Sequence, residues 1–123
     1  MWHEVDRQDG VCAEKFFNVY CALIEEVKAA LPNVRIMIME PYVMKGTATE
    51  EKWDEFKPEV KLRAEKARAV AQKYDLEFIP LQCIFDAPEK LCPVSYWLRD
   101  GVHPTNMGHE LIKRAWLKAF RNE

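Results

Sequence analysis
Two short apolar runs, separated by one long helical stretch, constrain the fold of this chain more than anything else in it. Val34 to Met39 is nearly continuous in apolar residues, the pattern of a strand buried on both faces of a parallel sheet. Glu77-Phe78-Ile79-Pro80-Leu81 is a second such run. Between them lies a helix predicted from about Trp53 to Tyr74, with a break at Pro58 and its main body from about Glu59. Before the first run, Phe16, Phe17, Tyr20, Leu23, Ile24, Val27 and Leu31 recur at helical spacing from Ala13 onward, and Pro32-Asn33 stops them. Gly46 to Glu51 is a polar loop, Leu81 to Ala87 a loop or short helix, and Thr105 to Arg121 a closing helix. The order helix–strand–helix–strand–helix is that of a parallel α/β arrangement, whose ligands bind beyond the C-terminal ends of the strands.

At 123 residues there is room for one core, and residues 1–123 are taken as a single domain. The net charge of −2 argues against a nucleic-acid partner held by phosphate neutralisation. No apolar run approaches the roughly 20 residues that cross a bilayer. His3, Glu4, Asp6, Arg7 and Asp9 interrupt any N-terminal signal segment, so a cytoplasmic location is expected, with secretion left open if the natural N-terminus is missing. Cys12, Cys21, Cys83 and Cys92 are widely and irregularly spaced, which suits reduced thiols better than a disulfide framework.

The chemistry concentrates in Asp100-Gly101-Val102-His103-Pro104-Thr105, followed by Asn106-Met107-Gly108-His109. A carboxylate and an imidazole stand three residues apart in a loop stiffened by glycine and proline, and Thr105 offers a hydroxyl N-cap to the next helix. That supplies the base and the orienting acid of a hydrolase triad, without its nucleophile. Ser95 is the only serine in the chain. It lacks the small-residue turn that exposes a nucleophile at a strand end, and is expected to be an ordinary loop serine. The four cysteines are alternatives only if one of them reaches His103. His3, His103 and His109 with Glu4 and Glu110 are not expected to hold a metal. His103 and His109 are six apart across a helix start, unlike the i, i+4 spacing of a zinc helix. His109 is expected on a helix face against the strand layer, and Trp2, Trp53, Trp97 and Trp116 in the core or a cleft wall. Trp97, which leads directly into Asp100, is the one placed beside a substrate.

These residues resemble the C-terminal part of the SGNH hydrolases, the GDSL-type esterases and lipases. Their last block is an Asp-x-x-His, often written DGVHPT with a downstream GH, as Asp100 to His109 reads here. Tyr96-Trp97-Leu98 commonly leads into that block, and Val34 to Tyr42 is similar to the family's late parallel strand. Met1-Trp2 falls about where the family's third block, Gly-x-Asn-Asp, ends. The resemblance implies a flavodoxin-like three-layer α/β/α fold, truncated at the N-terminus, with only about two of its five parallel strands encoded. It also implies ester hydrolysis with His103 as general base and Asp100 as orienter, on an acetylated sugar, an acyl ester or a lysophospholipid, without a cofactor. The family's serine and oxyanion blocks have no counterpart here, so the isolated chain is expected to be inactive, because losing even one oxyanion donor costs roughly a hundred- to a thousand-fold in rate. A two-stranded sheet leaves an unpaired edge, which predicts a homo-oligomer, a swapped assembly or a need for the missing N-terminal segment. The alternative is a non-catalytic remnant that serves as an interaction module.

Overall fold
The computed structural model describes residues 2–5, 7–88 and 91–121, with the side chains of Trp2 and His3 outside that description, so the expectations placed on those two side chains are not addressed. In chain order the elements are α1 (Trp2–Val5), α2 (Ala13–Ala30), β1 (Met37–Met39), α3 (Trp53–Lys73), β2 (Glu77–Ile79), α4 (Gln82–Asp86), α5 (Val94–Trp97) and α6 (Asn106–Arg121). The strands pair in parallel, with Met37 opposite Glu77, Ile38 opposite Phe78 and Met39 opposite Ile79. Because side chains alternate across a strand, Ile38 and Phe78 share one face and Met37, Met39 and Ile79 the other. The first face packs on α2 and α3 through Cys21, Ile24, Ala67, Val70 and Ala71. The second faces α6, which contacts β2. The result is the expected α/β/α layering around a small parallel sheet.

Local chemistry explains where the elements stop. α3 ends in a Schellman motif: the Leu76 N–H donates to the Ala71 carbonyl at 2.8 Å, with Asp75 in the left-handed region at φ 52°. α6 begins at Thr105, whose Oγ1 accepts from the Gly108 N–H at 3.2 Å. At its other end Arg35 donates to the Ala119 and Phe120 carbonyls while pairing with Glu77 at 2.7 Å. One side chain thus closes α6 and ties it to β2.

Two expectations are corrected. α3 runs unbroken through Pro58. Pro58 lies in the second turn and deprives only the Asp54 carbonyl of a helical donor, and both residues are exposed, which lowers the cost of that missing bond. The first strand covers only Met37–Met39 and is not buried on both faces: Ile38 is buried, whereas Met39 is 49% exposed. α6 covers the Ile79 side of its face and leaves the outer edge of β1 open.

Candidate active site
The loop that follows β1 is the platform of the site. Glu40, at the end of the strand, accepts from the Leu81 and Gln82 N–H groups at 2.8 and 2.9 Å. Gln82 in turn clasps the backbone of Val43, accepting from its N–H at 3.0 Å and donating to its carbonyl at 3.1 Å. Both ends of the sheet's C-terminal rim are thereby locked together. Beneath the rim Met44, Phe85 and Leu98 form a second small core with Tyr42, Trp97, Leu111 and Ile112.

The Asp100–His103 loop is laid onto this platform backbone to backbone. The Met44 N–H donates to the Gly101 carbonyl at 2.9 Å, and the Ala48 N–H to the Asp100 carbonyl at 3.1 Å. On the other side the Arg99 N–H donates to the His103 carbonyl at 2.8 Å, and Leu98 bridges Pro104. Gly101 sits at φ +98°, a conformation that favours glycine, and a Cβ there would lie 2.4 Å from the Met44 carbonyl oxygen. Gly108 has a different reason: a Cβ on it would lie 2.2 Å from the Trp97 carbonyl oxygen. The glycine of the downstream Gly-His is what lets α6 start against the end of α5.

Within the loop Asp100 organises both itself and the imidazole. Its Oδ1 accepts from the His103 and Val102 N–H groups at 2.9 and 3.1 Å, and its Oδ2 lies 2.8 Å from His103 Nδ1. The His103 backbone N–H, the imidazole and the Val102 N–H together hold the Asp100 carboxyl down at about 2, against a smaller opposing effect of burial. An ionised Asp100 makes Nδ1 the protonated nitrogen, which leaves the Nε2 lone pair available. The His103 side chain is 66% exposed and that of Asp100 22%. The ring therefore projects from the rim while its orienting acid stays sheltered.

Other expected participants stand apart. Ser95 is exposed on α5, and among the described residues no hydrogen bond joins it, or any cysteine, to the His103 ring. Cys21 lies in the core, and all four thiols are free. Trp97 is partly buried against the Met44 and Leu98 cluster, with its indole N–H buried and unpartnered among the described residues. His109 is exposed on α6, where it borders a shallow surface depression with Met39 and Trp116. Among the described residues no cluster of His, Cys, Asp or Glu is arranged to hold a metal ion, and no helix is long and apolar enough to cross a membrane. The sequence reading passed over Glu40, Gln82, Gly46 and Thr49. The signal for Glu40 was a lone carboxylate closing an apolar strand; that for Gly46 and Thr49 was a glycine three residues before a threonine, a spacing suited to a hydroxyl-closed turn, and Gln82 carried no local signal.

The chain and its fold have known relatives. Residues 5–111 match the model of the GDSL-like Lipase/Acylhydrolase family. A crystal structure described as a GDSL-like lipase from Parabacteroides merdae superposes with a TM-score of 0.91 at 32% identity, covering 99% of this chain and 56% of that one. The acetylxylan esterase of Geobacillus stearothermophilus gives 0.78 at 23% identity, covering 96% and 53%. An alpha/beta hydrolase from the metagenome of Lake Arreo, Spain, gives 0.76 at 22%, covering 96% and 53%. The last two show likeness of fold alone. This chain spans about half the length of the solved structures it matches. A search of curated proteins found no match.

Proposed function
The chain belongs to the GDSL-like lipase/acylhydrolase family, and from that premise we propose that it supplies the acid–base half of an ester-hydrolysing site. His103 is the general base in this reading. Its Nε2 takes the proton of a serine hydroxyl as the oxygen attacks an ester carbonyl, and returns that proton to the leaving alcohol. Asp100 fixes the tautomer through Nδ1 and stabilises the imidazolium without being protonated itself. Trp97 forms a wall beside the acyl or sugar group. The substrate is a small ester, in the class of acetylated sugars, simple acyl esters and lysophospholipids, and the serine and oxyanion donors come from polypeptide beyond these 123 residues.

The single observation that carries this reading is the 2.8 Å contact between Asp100 Oδ2 and His103 Nδ1, on a side chain that is largely exposed. It is tested by joining this chain to the portion of the Parabacteroides merdae protein that it does not match, and treating the folded chimera with a fluorophosphonate probe. A serine adduct that disappears in His103→Ala is the expected result. A folded chimera that stays unlabelled, or is labelled equally without His103, overturns it. The chain alone is expected to form no adduct; a His103-dependent adduct on Ser95 would instead mean a nucleophile within the chain.

A second reading, as a non-catalytic interaction module, draws on the apolar side chains that α2 and α6 expose, including Val19, Leu23, Met107 and Phe120. An unlabelled chimera together with stable self-association of the chain would favour it.

A further inference from the structure
Taking Asp100 and His103 as the acid–base pair of that hydrolase, which is the reading this rests on, we propose that the buried hydroxyl of Thr49 is the positioning group for the pair. It holds the loop after β1 in the shape that receives the pair's own loop. Thr49 is 1% exposed. Its Oγ1 donates to the Met44 carbonyl at 2.8 Å and accepts from the Gly46 N–H at 3.0 Å, so a single hydroxyl closes the turn across the Met44–Gly46 segment. Met44 and Ala48, which bracket that turn, are the residues whose N–H groups hold the Gly101 and Asp100 carbonyls.

The contact is interlocked rather than merely adjacent. A Cβ on Gly46 would lie 2.4 Å from the Asp100 carbonyl carbon and oxygen, and a Cβ on Gly101 would lie 3.0 Å from Thr49 Oγ1. The two glycines permit the approach, and the hydroxyl stands between them as the polar tie. Removing it leaves the buried Met44 carbonyl and the part-buried Gly46 N–H without their partner, a loss that for a buried group ordinarily costs about 1–3 kcal/mol and is relieved by reshaping the loop. Any such reshaping moves the Asp100 and Gly101 carbonyls, and with them the turn that aims two N–H groups at Asp100 Oδ1. Among the described residues the hydrogen bonds of the Thr49 hydroxyl run to Met44 and Gly46 and none to the carboxylate or the imidazole, so it acts through the backbone. α3 does not depend on it: that helix starts from the Lys52 carbonyl, which accepts from Glu55 and Phe56 at 3.0 and 2.9 Å.

The test compares Thr49→Val, which keeps the shape and loses the hydroxyl, with Thr49→Ser, which keeps the hydroxyl. Both are made in the 123-residue chain, and the Asp100 side-chain carboxyl is titrated by carbon-13 NMR. Among the described residues His103 is the one whose side chain contacts that carboxylate, so the titration reports their shared geometry. The natural chain and Thr49→Ser are expected to titrate at about 2, and Thr49→Val about a unit or more higher, a roughly ten-fold weaker acid. A folded Thr49→Val with an unmoved Asp100 overturns the proposal, as does a Thr49→Ser that behaves like Thr49→Val. Should Thr49→Val not fold, amide hydrogen exchange on the natural chain and Thr49→Ser decides. The Met44, Gly46 and Ala48 amides should open together with that of His103, and opening rates that differ more than about ten-fold contradict the tie. These readouts need no turnover: an unreactive chimera with the expected shift counts against the hydrolase reading alone. A reactive chimera with no shift counts against Thr49 alone.

Discussion

Asp100 commits one carboxylate oxygen to its own loop and the other to the imidazole, and this division sets its pH behaviour. Its carboxyl titrates at about 2 in the folded chain against an ordinary value of 3.8. A depressed carboxyl stabilises the fold fully above the unfolded value and loses that contribution as pH falls through the folded one. The window is therefore between about pH 4 and pH 2. At 1.36 kcal/mol per unit, reduced for partial exposure, the contribution is on the order of 1–2 kcal/mol. Urea unfolding at pH 5, 3 and 2 should show the natural chain losing that increment, and Asp100→Asn lacking it throughout. Equal pH slopes for the two proteins would contradict the assignment. Gly101→Ala is the sharper backbone test. The positive φ and the 2.4 Å approach to the Met44 carbonyl both oppose a Cβ, so a loss well above 1 kcal/mol is expected in chemical denaturation, by more than the usual glycine-to-alanine entropy gain can offset. The pair itself was legible in the sequence because three-residue spacing keeps it within one loop. Thr49 was not, since the loop it braces meets the Asp100–Gly101 loop across the whole of α3, β2, α4 and α5, and no local pattern records such an approach.

At the level of elements, the same sequence logic succeeded or failed according to how local the cause was. The ends of α2 and α6 follow from Pro32 and Thr105, residues that act on their own neighbours. Pro58 misled because its cost depends on where the carbonyl it orphans is pointing, which is a tertiary fact. Pro58→Ala should accordingly change stability by less than about 1 kcal/mol, far from the ~3 kcal/mol of a proline in a helix interior, and denaturant midpoints will tell the two apart. α5 was missed because four residues between two loops carry no periodicity. The docking of α6 on α5 yields a prediction in which two effects compete. Gly108→Ala gains roughly 1 kcal/mol of helix propensity. It also drives a methyl to 2.2 Å from the backbone oxygen of Trp97, and backbone on both sides cannot yield as a flexible side chain would. Net destabilisation is expected, with a lower thermal midpoint; a gain would mean that α6 does not start where the structure puts it.

For the molecule as a whole, the governing fact is that among the described residues the sheet has two strands and no strand pairs with the outer edge of β1. The Glu40 N–H donates to the Ile79 carbonyl, so by alternation the backbone groups of Met39 and Met37 point away from β2. The layering was legible in the sequence because the order of elements dictates it, yet the openness of β1 was not, because a continuous apolar run looks the same whether or not a neighbour covers it. Here Met39 is half exposed beside the edge, and Val19, Leu23, Trp116 and Phe120 leave further apolar surface on the two helical layers. An edge of this kind, uncharged and without a bulge, is a template for strand addition. Purified alone, the 14.5 kDa chain is therefore predicted to self-associate, with a mass by light scattering that rises with concentration. Met39→Lys places a charge where an incoming strand must pack, while the hydrogen bonds to β2 belong to the residues on either side of it, so it should shift the population toward monomer without lowering the thermal midpoint. If the natural chain is a monodisperse monomer that melts cooperatively at every concentration, two strands and their helices suffice by themselves, and the exposed apolar surface needs another explanation. If Met39→Lys leaves the mass unchanged while the chain still associates, the contact runs through the helical faces instead of the strand edge.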